Sequence, residues 1–171
     1  ASEVNFLRLK KNFELNKKRF FRSNVLIENI ALGKEKEKKI FKQFIETSSS
    51  TFSDININSK YFKKKFLLLN KKKGDSFFQE KQIQITPLNR YLENKKIDKI
   101  DILKIDTEGY EFEILQGLKD QIKIIDIIFF EHHYDDMINK SYTYSDIHNF
   151  LKNNNFEKIF KSKMPFRKTF E

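Results

Sequence analysis

Apolar residues recur along this chain at two spacings, near 3.6 and 2, and the switches between them outline its elements. Phe6, Leu9 and Phe13 fall at helical spacing with Lys, Arg and Asn between them, which predicts an amphipathic helix ending near Asn16. Val25-Leu26-Ile27-Glu28-Asn29-Ile30-Ala31 reads as a strand stopped by Gly33, and Ile40–Ile45 as a second strand. From Thr47 to Lys65 no period is clear. The polar run Thr47-Ser48-Ser49-Ser50-Thr51 there suits a loop or lid, or a plain surface connection. Gln82–Thr86 reads as a short strand. Pro87 then opens a helix of about two turns through Tyr91 and Leu92, because proline is favoured at a first helical position.

Ile102–Ile105 reads as a buried strand, followed by the turn Asp106-Thr107-Glu108-Gly109 and a helix that buries Ile114, Leu115 and Leu118 on one face. The apolar run Ile122–Phe130, rich in β-branched residues, suits a strand covered on both faces. Thr143 with Asp146 three positions on forms an N-cap pattern, with Ile147, Phe150 and Leu151 facing the core. Phe156–Phe160 reads as a last strand that the tail to Glu171 extends. Alternating strands and helices predict an α/β fold with a mainly parallel sheet, in one domain over residues 1–171 and without internal repeats.

Composition narrows the class. With 39% hydrophobic and 34% charged residues the chain has enough apolar side chains to fold as a globule. Its longest apolar runs, Ile124–Phe130 and Phe66–Leu69, are too short to span a bilayer. The absence of Cys removes disulfide scaffolds, thiolate catalysis and Cys-based zinc sites. No signal-peptide pattern occurs at Ala1–Asn5, so the expected compartment is a reducing cytoplasm. The chain does not begin with Met and helical periodicity starts almost at once, so the natural start is expected upstream. The net charge of +10 permits attraction to nucleic acid. However, the clusters Lys10-Lys11, Lys63–Lys65 and Lys71–Lys73 are interleaved with acids and Arg is scarce, which favours a solvated surface.

Candidate chemistry concentrates in Ile100–Glu111. Lys104 lies inside the strand pattern, two residues before Asp106 and so on the same face. A desolvated cation needs an anion, which Asp106 or Glu131 could supply. Open α/β sheets place ligands beyond the carboxyl ends of their strands. Asp106 and Glu108 sit at one such end, and Glu131-His132-His133 at the end of the next strand. Taken singly, Asp106 also suits a helix N-cap, Glu111 and Glu113 exposed helix charges, and His133 a surface or packing residue. Three carboxylates at one rim could hold Mg²⁺, but no spacing requires a metal and no metal ligands are assigned.

Lys104-Ile105-Asp106-Thr107-Glu108-Gly109-Tyr110-Glu111, then Ile114-Leu115-Gln116-Gly117, resembles the signature block of FkbM-type methyltransferases. Phe6-Leu7-Arg8-Leu9-Lys10-Lys11-Asn12 with Asn16, Asn29-Ile30-Ala31-Leu32-Gly33, and Thr86-Pro87-Leu88-Asn89 before Tyr91-Leu92 follow the family order over nearly the whole chain. The resemblance implies a Rossmann-like class I methyltransferase sheet and a methyl donor, S-adenosylmethionine. The acceptor it implies is a hydroxyl of a sugar, polyketide or other cell product, with a glycan preferred. In that mapping Val25–Ala31 is the third strand, Ile102–Asp106 the fourth and Ile124–Glu131 the fifth. Asn29, Ala31 and Leu32 lie near the adenine, and Asp106 near the reacting methyl. The family's first strand and glycine-rich loop have no counterpart before Phe6, and Asn89 stands where an acid is usual.

In this reading His132 or Glu131 accepts the hydroxyl proton while Asp106 and Glu108 fix the substrate. Two other classes compete with it. One is a non-enzymatic basic module that binds nucleic acid or polyanions through Lys63–Lys65 and Lys71–Lys73. The other is a degenerate remnant that binds no donor and covers an exposed sheet edge by self-association.

Overall fold

The computed structural model describes residues 2–20, 23–44, 49–68, 77–133, 136–162 and 169–170. Helix α1 spans Glu3–Asn16, capped by Ser2, whose hydroxyl accepts from the Asn5 N–H. It ends where its periodicity does, but none of its residues is buried, and Leu7, Leu9 and Leu15 face solvent. A 3₁₀ turn at Lys17–Phe20 follows, stacking Phe20 on Phe13.

Three strands form the first sheet, in the order β1 (Ala31–Gly33), β4 (Phe78–Pro87), β2 (Lys38–Phe44). β1 runs parallel to β4 with Ala31 opposite Ile85, and β2 runs antiparallel to it with Ile40 opposite Gln82. The expected strand from Val25 is therefore shortened to its last residue and two more. Val25, Leu26 and Ile30 are exposed, and the ladder to β4 begins only at Ala31. The segment without clear period contains a two-residue strand β3 (Asp54–Ile55) and a helix α2 (Lys60–Leu68). The Ser59 hydroxyl starts that helix by accepting from the Phe62 N–H. Of the expected features in this part, Ile45, Thr47, Ser48 and Lys71–Lys73 lie outside the described residues.

Helix α3 (Leu88–Lys95) begins one position after Pro87 and closes on Lys96 in the left-handed conformation, φ 55°. A second sheet pairs β5 (Ile100–Ile105) in parallel with β6 (Ile125–Phe130), and α4 (Glu111–Gln116) with a 3₁₀ turn at Lys119–Ile124 connects them. One face of this pair packs into the core, while the other is only partly covered. Leu103, Ile105, Ile128 and Phe130 enter the core, while their alternates Ile102 and Ile127 are exposed. The expectations of a buried fourth strand and a doubly covered fifth are corrected accordingly.

β7 (His132–His133) pairs antiparallel with β9 (Thr169–Phe170), and β3 with β8 (Ile138–Asn139). The fold is α/β, but its strands are mixed in direction instead of mainly parallel. Among the described residues three of the five strand pairings are antiparallel, because β2 reaches β4 by returning against it and two short pairs close loops. Residues 156–162 carry no strand. They cross the outer face of the second sheet, with Phe160 against Phe129, so they pair with no edge. Among the described residues no helix is long and apolar enough to cross a membrane.

Helix α5 (Tyr144–Asn153) starts as the pattern requires. Asp146 accepts from the Thr143 N–H at 2.7 Å, and the Thr143 hydroxyl in turn accepts from the Asp146 N–H at 3.3 Å. The Thr143 N–H first, and the Thr143 hydroxyl second, which donates to the same carboxylate at 2.8 Å, hold the Asp146 carboxyl below the usual aspartate range. A depressed carboxyl stabilises the fold above its unfolded value, about 3.9, and loses that contribution as pH falls through the folded value. Thr143→Ala should cost about 1 kcal/mol in urea unfolding near neutral pH. That deficit should shrink as pH falls below the unfolded aspartate value of about 3.9 and on through the lower folded value.

Candidate functional site

The carboxyl ends of β5 and β6 meet through a backbone bond in which the Glu131 N–H donates to the Ile105 carbonyl at 3.1 Å. Asp106 follows immediately, so Asp106, Glu108 and Glu131 share one end of the sheet. The Asp106 carboxylate is 40% exposed and lies 3.4 Å from Lys104 Nζ. Both partners of that expected pair are open to solvent, so water screens them and the pair adds little to stability.

The turn after Asp106 has a strained backbone: Glu108 has φ 54° and Gly109 φ 90°. Glu111 holds it from below. Its side chain is completely buried, against the expectation of an exposed helix charge. One of its oxygens accepts from the Thr107 N–H at 3.0 Å, the Thr107 hydroxyl at 3.1 Å and the Gly109 N–H at 3.1 Å. The other accepts from the Tyr142 hydroxyl. Burial first, and the Glu111 charge second, push that phenol well above the ordinary tyrosine range. Glu113 is half-buried and accepts from the Ser141 hydroxyl at 2.9 Å.

From above, the segment after β2 clasps the same turn. The Thr51 hydroxyl donates to the Glu108 carbonyl at 2.6 Å, and the Ser53 hydroxyl to the Gly109 carbonyl at 2.8 Å. Thr51 is buried and bonds through its backbone to Lys42, so this end of the polar run is a fixed clamp. His132 points elsewhere. Its ring is 4% exposed and packs between Tyr142 and Tyr144, each 5.8 Å away between centroids. Asp106 faces Lys104, and His132 faces the two tyrosines. Of His133 the backbone alone is described.

Gly33, at the end of β1, reaches this region. A methyl group added there would lie 3.1 Å from the Tyr110 ring. Tyr110 directly follows the turn and is buried, which raises its phenol above the usual range, with Glu37 and Glu113 adding to the effect. Lys39 Nζ lies 4.7 Å above the Tyr110 ring centroid. The sequence model of the methyltransferase FkbM domain matches residues 4–158. The chain belongs to the FkbM methyltransferase family. Neither a curated protein nor a solved structure matches it.

The positions that the resemblance implied for the donor fit it unevenly. Asn29 is exposed, Leu32 half-buried, and Asp106 carries an open carboxylate suited to the cationic groups of S-adenosylmethionine. Ala31 is buried in the main core and can contribute packing alone. Glu28, beside Asn29, is already engaged by Tyr91 and Lys95. The Lys95 bond, then the Tyr91 bond, keep its carboxyl low, and Tyr91 is pushed up to about 12 mainly by the same Glu28 bond. Among the described residues no group of three or more His, Asp or Glu is arranged to hold a metal ion. Glu111, Tyr142, Thr51 and Ser53 went unrecognised from the sequence. A carboxylate placed to satisfy turn amides looks, in one sequence, like any helix acid.

Proposed function

We propose that this FkbM domain is an S-adenosylmethionine-dependent O-methyltransferase whose acceptor is a hydroxyl of a glycan or another small cell product. Residues 1–171 act as one cytoplasmic domain in this reading. The observation that carries it is the Asp106–Gly109 turn, clamped from two sides and placed beside Glu131 where the parallel strands end. A site that aligns two reactants needs such a rigid frame, because displacement at an activated carbon gains most from positioning. S-adenosylmethionine, when bound, supplies a methyl group already activated by its sulfonium. Asn29, Leu32 and Asp106 hold the donor.

Asp106 and Glu108 orient the acceptor. Glu131, half-buried at the rim, takes the hydroxyl proton in preference to His132, whose ring is enclosed by tyrosines. Calorimetric titration with S-adenosylhomocysteine is the test. Saturable binding of one molecule per chain is expected, weakened about ten-fold or more by Asp106→Ala. A flat titration of the parent chain would remove the donor site and favour the remnant reading.

A further inference from the structure

Helix α1 runs from Glu3 to Asn16 without a single buried residue, over a length of about 21 Å. Its apolar side chains fall on two opposite sides. Phe6 and Phe13 are half-buried, and Phe13 stacks on Phe20. The other side is a row of Val4, Leu7, Lys11 and Leu15, spaced three and four apart. In that row Val4 is 36% exposed, Leu7 58% and Leu15 74%. Single exposed leucines are ordinary, but aliphatic residues repeated along one helix face form a surface.

Charge accompanies this row. Residues 2–20 hold six Lys and Arg against two Glu. Glu14 is taken by Lys17 at 3.7 Å, while Lys10, Lys11, Lys18 and Arg19 stand exposed. The mixture discriminates between partners. A protein groove takes a helix by apolar anchors at i, i+3 or i+4 and i+7, and Lys11 fills the last of these counted from Val4. A second copy would set like charges against one another. A nucleic acid engages cations and rings, which leaves Leu7 and Leu15 in water. An anionic bilayer surface accepts both kinds at once. The leucines enter the acyl boundary, and the lysines lay their stems beside them and reach the phosphates.

We propose that α1 binds the surface of an anionic bilayer. The helix lies flat through Val4, Leu7 and Leu15, with Lys11, Lys18 and Arg19 at the lipid phosphates. At 14 residues it rests on the membrane and does not cross it. The site is separate from the methyl-transfer reading and stands whether or not the chain binds a donor.

Co-sedimentation of the full chain with vesicles of phosphatidylglycerol and phosphatidylcholine in equal parts tests this. Saturable binding is expected, about ten-fold or more weaker to phosphatidylcholine alone and lost at about 0.5 M salt. Leu7→Gln combined with Leu15→Gln, at exposed positions where Gln keeps the helix by circular dichroism, should weaken binding about ten-fold. Lys11→Glu combined with Lys18→Glu should weaken it about thirty-fold. Lys63→Glu combined with Lys64→Glu, equally exposed on α2, should change it far less. Equal losses from the two charge pairs would reveal a general attraction of a chain of net charge +10 and overturn the proposal. Absence of binding to the anionic vesicles, or undiminished binding by the glutamine pair, would overturn it as well. So would retention of poly(uridylate) without vesicle binding, or a dimer that the glutamine pair dissociates.

Discussion

Glu111→Ala is expected to lose about 4 kcal/mol of unfolding free energy, measured by urea titration. The substitution strands four donors in a fully buried place: the Thr107 amide and hydroxyl, the Gly109 amide and the Tyr142 hydroxyl. It also leaves a void where the side chain stood. Glu111→Gln should cost about 1–2 kcal/mol, because its amide oxygen can keep the three turn donors while its NH₂ meets Tyr142, whose hydroxyl can accept. Tyr142→Phe on the Gln background should add a further loss of about 1 kcal/mol, since it removes the acceptor of the Gln NH₂. Equal losses for Ala and Gln would mean that charge, and not the donor set, holds the turn. The loss for Ala is a large fraction of a small domain's total stability, so that variant should be close to unfolding at 37 °C.

Gly117→Ala is the second change with a large effect. A Cβ at this position would lie 1.9 Å from the Gly33 carbonyl oxygen and 2.9 Å from the Gly33 carbonyl carbon. Backbone, unlike the end of a long side chain, cannot swing away. The Gly117 carbonyl also accepts from the Asn89 N–H at 2.9 Å, tying the end of α4 to the start of α3. Relief therefore requires α4 to part from β1, breaking this bond or shifting both elements. A loss of about 3 kcal/mol is expected by thermal or urea unfolding, near the upper end for overpacking. A loss below about 0.5 kcal/mol would show that β1 yields easily to α4.

The helices α1, α3 and α5 were legible because their signals are local: a Ser or Thr cap, a leading proline, apolar residues three and four apart. The strand β2 and the centre of β4 were equally visible. What failed depended on neighbours. Val25–Ile30 has the composition of a strand but enters no strand ladder until Ala31. Phe156–Phe160 has the same composition and spreads over a sheet face instead of joining an edge. Burial of Ile102 and Ile127 was overestimated because a run of β-branched residues is silent about which face is covered. At the candidate site, the shared end of Asp106, Glu108 and Glu131 follows from strand order and was readable. The inward turn of His132 and the hidden place of Glu111 depend on Tyr142 and Tyr144, which lie in a later loop and helix.

Among the described residues, no ladder bond joins the three-stranded sheet to the β5–β6 pair. At Gly33 the halves touch through van der Waals packing against Gly117 and Tyr110. Across that seam the two sheets share one apolar core and are tied by the Thr51 and Ser53 bonds to the turn after β5. A molecule resting on Leu32 and Asp106 together would act as a rivet across it, and heat resistance would then track how full the site is.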